Sequence, residues 1–415
     1  MIAPAPAGAP PRDALRDRVL EAIASVCGQS AGRLRPDHNL QSDLGFDSLM
    51  TVELDRRIRK ILPGLEDREE MFTEETTVES LIELLADRWS GDKSDMELTP
   101  HQREVRTWKT YADLIQMDPE LTYVGGAFKH ETHHLHHLRA EGKSMAGLMD
   151  TENKYSGSAS FHLTQMAAYA FMVQLVHGYL CYKHGVGKDQ LGMPTLDAID
   201  MRWERMVRTS TSVPGRIEEL SCRVEDGLQV LEIGFDIAEG GVTGRLVGRI
   251  RIEAPERPLE ERAVAEYETY EELLRKDPHS TYTGGTFKAE KQHIRDLHAE
   301  GKKITAKLDV LNEYAGTPNF HLTQMGTYSC IVQLLLGYLC YKHGLTKEEL
   351  GMPVLQYFSI RWREMVPFAE DIHLEVEEET CVLENGRYQM EFGFKVGDDH
   401  GVGSLVGLIP VPQGA

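Results

Sequence analysis

A long internal duplication constrains the fold of this chain more than any other sequence feature. Residues 155–185 read YSGSASFHLTQMAAYAFMVQLVHGYLCYKHG, and residues 314–344 read YAGTPNFHLTQMGTYSCIVQLLLGYLCYKHG. Matched positions keep one separation throughout, which is 159 residues for His162 and His321 (321 − 162). Two copies of this size predict a pseudo-dimer of similar domains rather than a solenoid of small repeats.

The sequence of each copy predicts one long buried helix followed by strands. The apolar residues after His162 recur at helical spacing, which predicts a central helix from about 161 to 184 that ends at Gly185. Further helices are expected at 105–117 and in the charged, histidine-rich segment that ends at Thr151. Downstream the apolar period changes to two, which predicts strands at 199–204, 217–223, 230–237 and 243–252.

A long helix wrapped by antiparallel strands is the order typical of a hot-dog fold. We therefore predict an α+β chain that ends in a double hot dog, with repeats at 101–256 and 257–415. Exposed sheet edges of such a domain could pair with those of a second chain, so a homodimer is also expected.

Composition and charge exclude several classes of protein. Sixty-six acidic residues against 45 basic ones give a formal net charge of −21, which disfavours nucleic acid and anionic membranes as partners. The six cysteines form no CxxC pair, which argues against a zinc site or a disulfide framework. Residues 1–12 are rich in Pro and Ala and lack a signal-peptide pattern, so we expect a disordered leader and a cytoplasmic protein.

The N-terminal region predicts a small helical domain that ends before a short linker. Apolar stripes indicate helices after Asp13, after Ser48 and after Thr77. Residues 13–89, with Asp-Leu-Gly-Phe-Asp-Ser-Leu at 43–49, resemble acyl carrier proteins over the whole length of that family. The polar stretch 90–100 follows and can span at most about 36 Å, so the domain could reach its downstream neighbour.

The resemblance implies a four-helix carrier bundle whose Ser48 is esterified with 4′-phosphopantetheine by a phosphopantetheinyl transferase. A phosphodiester at a helix N-terminus would face free N–H groups and the positive end of the helix dipole, whereas the alternative is a capped helix without a prosthetic group. The acidic residues would be either a solvated face or a docking surface for enzymes of polyketide or fatty acid synthesis. They are Asp43, Asp47, Glu53, Asp55, Glu66, Asp67, Glu69 and Glu70.

The start of the central helix resembles the FcoT-like thioesterases, which are hot-dog proteins that act on fatty acyl thioesters. The shared features are Tyr155, Gly157, Phe161 and a pair of polar residues at the start of the helix, which in this chain are His162 and Gln165. Where this chain has His and Gln in both copies, members of that family carry Asn and Glu. The resemblance implies either hydrolysis of an acyl thioester or addition of an amine across a 2-enoyl thioester.

The residue types at these positions suggest a mechanism without reference to the family. Neutral His162 and His321 can act as general bases, while Gln165 and Gln324 can orient a water molecule or hold the substrate oxygen. Helix N–H groups can polarise a thioester carbonyl. Tyr155 and Tyr314 are candidate hydrogen-bond donors or proton relays. Packing or helix capping is the alternative explanation of each of these residues.

The prediction is therefore an enzyme that hydrolyses acyl thioesters presented by its own or another carrier domain. Lyase or hydratase chemistry at the β-carbon is the second hypothesis. It ranks below hydrolysis because no matched acid lies on the central helix and Asp200 occurs in one copy only. A non-catalytic scaffold that docks carrier-bound intermediates is the third. The histidines between 130 and 137 are expected to lie on a solvated helix rather than at a metal, since only His134 has a histidine counterpart.

Overall fold

The computed structural model divides the chain into two compact units, residues 1–97 and 98–415. Thr99, which we expected to lie in the linker, belongs to the second unit, where its Oγ1 donates to the carbonyl oxygen of Lys342 at 2.7 Å. The structure describes residues 12–27, 33–46, 50–51, 54–55, 57–58, 72–73, 76–88, 98–116, 128–152, 162–192, 194–209, 211–252, 254–259, 262–275, 287–318, 320–350, 354–384 and 387–410.

The first unit is helical in its described parts. Helix α1 spans Arg12–Cys27 and helix α2 spans Val78–Arg88, and the described residues from 50 to 58 are also helical. Their apolar stripes meet in one core, as predicted for the helices after Asp13 and Thr77. The core includes the fully buried Val19, Ile23, Leu54, Ile58, Leu81 and Leu85.

One member of the predicted acidic face is misassigned. The Asp55 residue is only 3% exposed and lies among the helices, so it cannot belong to a solvated or docking surface. The Asp43 carboxylate accepts a hydrogen bond from the backbone N–H of Asn39 at 2.8 Å and thereby fixes a turn.

In the residues that the structure describes, the second unit is built on one antiparallel sheet of fourteen strands and two long helices, which confirms the α+β double hot dog. Helices α4 (Gln165–His184) and α6 (Gln324–His343) are the long ones, and α3 (Tyr111–Ile115) and α5 (Tyr270–Leu274) are single turns. The strands are β1 Arg106–Thr110, β2 Thr132–Glu141, β3 Ser144–Glu152, β4 Thr195–Trp203, β5 Val213–Glu225, β6 Leu228–Ile237, β7 Val242–Ile250, β8 Ala265–Thr269, β9 Lys291–Glu300, β10 Lys303–Leu311, β11 Val354–Trp362, β12 Ile372–Glu384, β13 Arg387–Val396 and β14 Gly401–Pro410.

The strand order reads the same from either end once equivalent strands are matched. It runs β1-β9-β10-β12-β13-β14-β11-β4-β7-β6-β5-β3-β2-β8, with β4 and β11 adjacent at the centre. Asp200 on β4 is opposite Ser359 on β11, and these two residues occupy equivalent positions of the two copies. The pseudo-twofold axis therefore passes between them.

Local sequence fixes both ends of each central helix. The Thr164 side chain accepts a hydrogen bond from the Ala167 backbone N–H, and Thr323 does the same for Gly326, so both helices are N-capped. Gly185, with φ of 69°, ends α4 in the left-handed conformation, as predicted. The start of the helix is corrected from about 161 to Gln165, because the capping threonine leaves the preceding residues extended.

The N-terminal strand of each copy belongs to the sheet half of the other copy. Strand β1 pairs with β9 and strand β8 pairs with β2, both antiparallel. The following turn packs on the other central helix, where a Cβ added at Gly337 would lie 2.6 Å from Leu114. The two halves of the second unit are thus interlocked by exchanged segments.

Two predicted helices are strands. The segment 105–117 forms β1 and the single turn α3, because Thr110 caps a new helix after an extended stretch. The histidine-rich segment forms β2, which carries a β-bulge between His136 and Arg139 with His137 at φ of 49°. The bulge separates the buried Leu135 and Leu138 by three positions, so the strand imitates helical spacing.

The matched glycines of β7 and β14 permit close approach of the central strands. A Cβ added at Gly403 would overlap the Ser359 carbonyl oxygen and the Phe394 ring. We expect Gly403→Ala to destabilise the second unit by about 1–3 kcal/mol, measured by urea unfolding, because the Ser359 backbone cannot move aside. Gly407→Ala on the same strand is the matched control, since its nearest neighbour would be the Val354 oxygen at 3.5 Å. Equal costs for the two variants would contradict this account.

No helix in the described part of the chain is both long and apolar enough to cross a membrane.

Candidate active site

Two cavities lie between the copies, and each is built from both. The larger cleft, of about 300 Å³, joins residues 162–166 of the first copy to the flank of α6. The smaller cleft, of about 140 Å³, joins residues 321–325 of the second copy to the flank of α4. We call residues 162–166 and 321–325 the entrance segments. Because the clefts occupy equivalent positions, each central helix serves one cleft with its N-terminus and the other with its side.

Each entrance segment is held by a backbone hydrogen bond to the chain beyond the central strand. Leu163 N–H donates to the Val207 carbonyl at 2.8 Å, and Leu322 N–H donates to the Val366 carbonyl at 3.0 Å. The first N–H groups of an α-helix have no partner within the helix. Gln165 begins α4 and lines the larger cleft, so the positive end of the helix is directed toward that cavity.

The structure brings together the predicted His and Gln of each copy. His162 and Gln165 line the larger cleft, and His321 and Gln324 line the smaller one. Each His precedes its helix, so the His and the Gln of a copy do not share a helical face. The shared cavity, rather than a helical turn, is what brings them together.

Of the two predicted tyrosines, Tyr314 is described by the structure and lies outside both clefts. Tyr314 is 38% exposed in a turn, where its backbone N–H donates to the Asn312 side chain at 2.9 Å, and it is not among the residues that line either cleft. Tyr155 lies outside the described residues, as do Gly157 and Phe161.

The two glutamines meet near the pseudo-twofold axis but differ in their support. Gln165 and Gln324 both line a small cavity of about 20 Å³ together with Trp203. Trp362 Nε1 donates to Gln324 Oε1 at 3.0 Å, whereas the equivalent Trp203 Nε1 is buried without a hydrogen-bond partner among the described residues. The Gln324 amide is therefore oriented by its tryptophan and the Gln165 amide is not.

This difference predicts unequal effects of removing the two indole N–H groups. If His162 and His321 act as the general bases expected from the sequence, a His162→Ala background leaves only the smaller cleft active. In that background we expect Trp362→Phe to lower turnover about 2- to 10-fold because one hydrogen bond to Gln324 is lost. In a His321→Ala background, Trp203→Phe should change turnover less than 2-fold, since it removes no such bond. Similar losses in both clefts would show that ring shape, rather than the hydrogen bond, matters.

Sequence reasoning missed polar residues on one cleft wall. His177 and Arg249 line the smaller cleft, and the equivalent positions of the larger cleft hold Leu336 and Leu408. Arg249 Nε donates to Asp197 Oδ2 at 2.6 Å, and this hydrogen bond raises the pKa of the guanidinium. Position-by-position alignment of the two copies was the signal that could have revealed this asymmetry.

A matched pair of buried acids was also missed. Glu131 and Glu290 are 2% and 1% exposed, and burial raises the pKa of Glu290. The Glu290 carboxyl accepts from Gln292 Nε2 at 2.7 Å and lies against the first turn of α6. Glu290 thus contacts the start of α6, and neither acid is among the residues that line the two clefts. Asp200, the copy-specific acid considered from the sequence, lies on the central strand and is also outside that set.

The histidines of β2 are associated with separate carboxylates. His133 Nε2 lies 3.0 Å from Glu131 Oε2, and His136 Nε2 lies 3.2 Å from Asp150 Oδ2. Within the described ranges, no group of three His, Cys, Asp or Glu residues is arranged to hold a metal ion.

The predicted attachment serine, Ser48, lies outside the described residues, but its flanks suit a presented serine. The Asn39 side chain accepts from the N–H groups of Gln41 and Ser42 at 2.9 Å each, and Phe46 is buried. The chain is helical again from Met50. A fixed loop on one side and a helix on the other are compatible with attachment of a phosphodiester near a helix N-terminus.

Comparison with known proteins identifies the first unit. Residues 17–85 match the family described as phosphopantetheine attachment site, so this unit is a domain for covalent attachment of 4′-phosphopantetheine.

Solved structures similar to the chain include three proteins named as thioesterases or as tesB. A tesB protein of Mycobacterium avium subsp. paratuberculosis is 7% identical, with 66% of this chain and 96% of that chain covered and a TM-score of 0.35. A 12:0-ACP thioesterase from Umbellularia californica is 9% identical, with coverages of 66% and 99% and a TM-score of 0.34. An acyl-ACP thioesterase from Bacteroides thetaiotaomicron is 10% identical, with coverages of 67% and 97% and a TM-score of 0.30.

Proposed function

We propose that this chain hydrolyses acyl thioesters that are presented by a carrier domain, with the double hot dog as the catalytic unit. The observation that carries the proposal is that both His and Gln pairs line cavities between the copies, next to the N-terminus of a central helix. When bound, 4′-phosphopantetheine on Ser48 supplies the thiol that carries the acyl group.

The helix N-terminus is the part of the cleft suited to the thioester carbonyl. The N–H groups of the first helical turn, with the helix dipole behind them, can stabilise the negative charge that develops on the carbonyl oxygen. Thr164 and Thr323 are committed to capping through their side-chain oxygens, and this keeps the first turn in place. The entrance segment thus supplies the electrostatic part of catalysis.

The histidine of each entrance segment is the proposed general base. A neutral imidazole at His162 or His321 can take a proton from a water molecule as the water attacks the carbonyl carbon. The neighbouring Gln165 or Gln324 can hold that water or the carbonyl oxygen, since an amide has both donors and an acceptor. Collapse of the tetrahedral intermediate then expels the thiolate, which takes the proton from the imidazolium and restores the neutral base, and the free acid is released.

The cleft walls suit an acyl chain. Beyond the entrance segments, the flank of the opposite central helix is largely apolar and includes Tyr169 and Val173 in the smaller cleft and their counterparts Tyr328 and Val332 in the larger cleft. Burial of each methylene against such a wall contributes about 0.8 kcal/mol. A carrier on the same chain raises the local concentration of substrate, so modest affinity suffices.

The partners follow from this chemistry. A phosphopantetheinyl transferase would attach the arm to Ser48, and enzymes of fatty acid or polyketide synthesis would supply the acyl groups. Another carrier domain could also deliver substrate, and the unpaired edges of β1 and β8 could join two chains in a homodimer.

Intact-protein mass spectrometry tests the proposal directly. The full chain is loaded at Ser48 with saturated acyl arms of several lengths, and the loss of acyl mass and the appearance of free acid are followed with time. Release well above the rate in a chain unfolded with urea is the expected result. A stable saturated thioester together with a mass change on an enoyl arm would replace hydrolysis by chemistry at the β-carbon, and a stable mass in both cases would leave the scaffold reading.

A further inference from the structure

His177 is a buried polar residue that the proposed reaction does not use. It lies on α4, is 1% exposed, and lines the smaller cleft. Neither Nδ1 nor Nε2 has a hydrogen-bond partner among the residues that the structure describes. Burial lowers the pKa of this imidazole, so it is neutral, with one nitrogen that donates and one that accepts.

An imidazole in this position has an energetic cost unless something pairs with it. A buried donor or acceptor without a partner loses its hydrogen bonds to water and gains none in exchange. The equivalent residue in the other copy is Leu336, which shows that the fold accepts a plain aliphatic side chain here. Packing alone therefore does not explain a histidine at position 177.

The position of His177 within the cleft indicates what could pair with it. Tyr169 lies near Gln324 at the entrance end, since both line the small cavity at the axis. His177 is two turns further along α4, which corresponds to about 12 Å at 1.5 Å per residue. A group that reaches His177 from the entrance must therefore belong to the distal part of an acyl chain rather than to the carbons next to the thioester.

We infer that the smaller cleft selects acyl chains that carry a hydroxyl or oxo group on their distal part, which His177 binds. A hydroxyl can donate to one ring nitrogen and, for the other tautomer, accept from the N–H, while an oxo group accepts only. Leu336 and Leu408 offer no polar atom at the matching depth of the larger cleft. The inference rests on the proposed function in its assumption that acyl chains occupy the clefts.

Binding of non-hydrolysable ligands tests the inference without turnover. The probes are acyl-pantetheine amides of one chain length, unsubstituted or with a hydroxyl group moved from the third carbon to the terminal carbon, titrated into the full chain by calorimetry. Wild type should show an additional binding site for the distally hydroxylated amides. That site should prefer these amides to the 3-hydroxy amide. His177→Leu should weaken distal-hydroxyl binding about tenfold, equivalent to 1.4 kcal/mol, and leave the unsubstituted amide unchanged or tighter.

Matched variants separate hydrogen bonding from shape. Val176→Leu also converts a wall residue to its counterpart, Leu335, but changes no polar group, so the hydroxyl preference should persist. His177→Gln keeps a donor and an acceptor and should retain most of the preference. If His177→Leu does not fold, equal binding of hydroxylated and unsubstituted amides by wild type and by His177→Gln would still overturn the inference.

The result is distinguishable from failure of the proposed function. A preference for distal hydroxyl groups in a chain that releases no acid would retain the binding site and discard hydrolysis. Hydrolysis without any preference that depends on His177 would discard the binding site alone. Equal weakening of all amides by His177→Leu would assign the residue to packing.

Discussion

Replacement of both His162 and His321 by alanine is expected to lower the rate of acid release from the acyl-loaded chain by about 10²–10⁴-fold. This is the usual contribution of a positioned general base. The loss should appear in the rate at saturating local substrate rather than in binding of acyl-pantetheine amides, because the cleft walls are unchanged. Quenched time points analysed by intact-protein mass spectrometry give the rate directly.

The single variants assign activity to each cleft. Since each histidine lines a separate cavity, the two single losses should together account for the wild-type rate. His298→Ala is the matched control, because this histidine is about half exposed on β9, away from both clefts. An unchanged rate in the double variant would remove the imidazoles from the mechanism.

The largest expected effect on stability comes from a lysine buried at the end of each central helix. Lys342 Nζ lies 2.7 Å from Glu378 Oε2, and both side chains are 2% exposed. Tyr338 donates to the same carboxylate at 2.7 Å and is itself contacted by Gln102. Lys342→Met leaves the Glu378 charge buried without its cation, and we expect it to destabilise the second unit by about 3–5 kcal/mol.

A double variant distinguishes a lost pair from a lost side chain. Lys342→Met with Glu378→Met removes both charges and should recover much of the stability, because the cost comes mainly from the unpaired charge. Unfolding in urea can be followed by tryptophan fluorescence, since three of the four tryptophans lie in the second unit. Arg106→Met, which breaks an exposed ion pair with Glu104, is the control and should leave the midpoint unchanged. A double variant as unstable as Lys342→Met would contradict the charge argument.

The sequence predicted the elements whose spacing of apolar residues follows directly from how the element is buried. The central helices were predictable because their apolar residues recur at helical spacing and each ends at a glycine, and the strands after Thr195 alternate over most of their length. Strand β2 was mistaken for a helix because the bulge at His137 adds one residue to the alternation. The strand exchange could not be read from the sequence, since β1 and β8 are equivalent segments and nothing local specifies which half receives them.

Some residues of the candidate site were also predictable from the sequence, whereas others were not. The entrance segments were predicted from the recurrence of His and Gln in both copies. His177 was overlooked, because a residue present in one copy is discarded when only matched positions are examined. Glu131 and Glu290 were missed for a different reason, since they are matched but lie outside the central helix.

The residues that face each other across the pseudo-twofold axis bear on how the protein assembles. If two first copies met through β4 as the two halves do here, Asp200 would be opposite a second Asp200, and like charges directly opposite in an antiparallel pair repel. With Ser359 opposite, the repulsion does not arise. The centre of the sheet therefore discriminates against self-association of the first half and favours the covalent pairing of unlike halves.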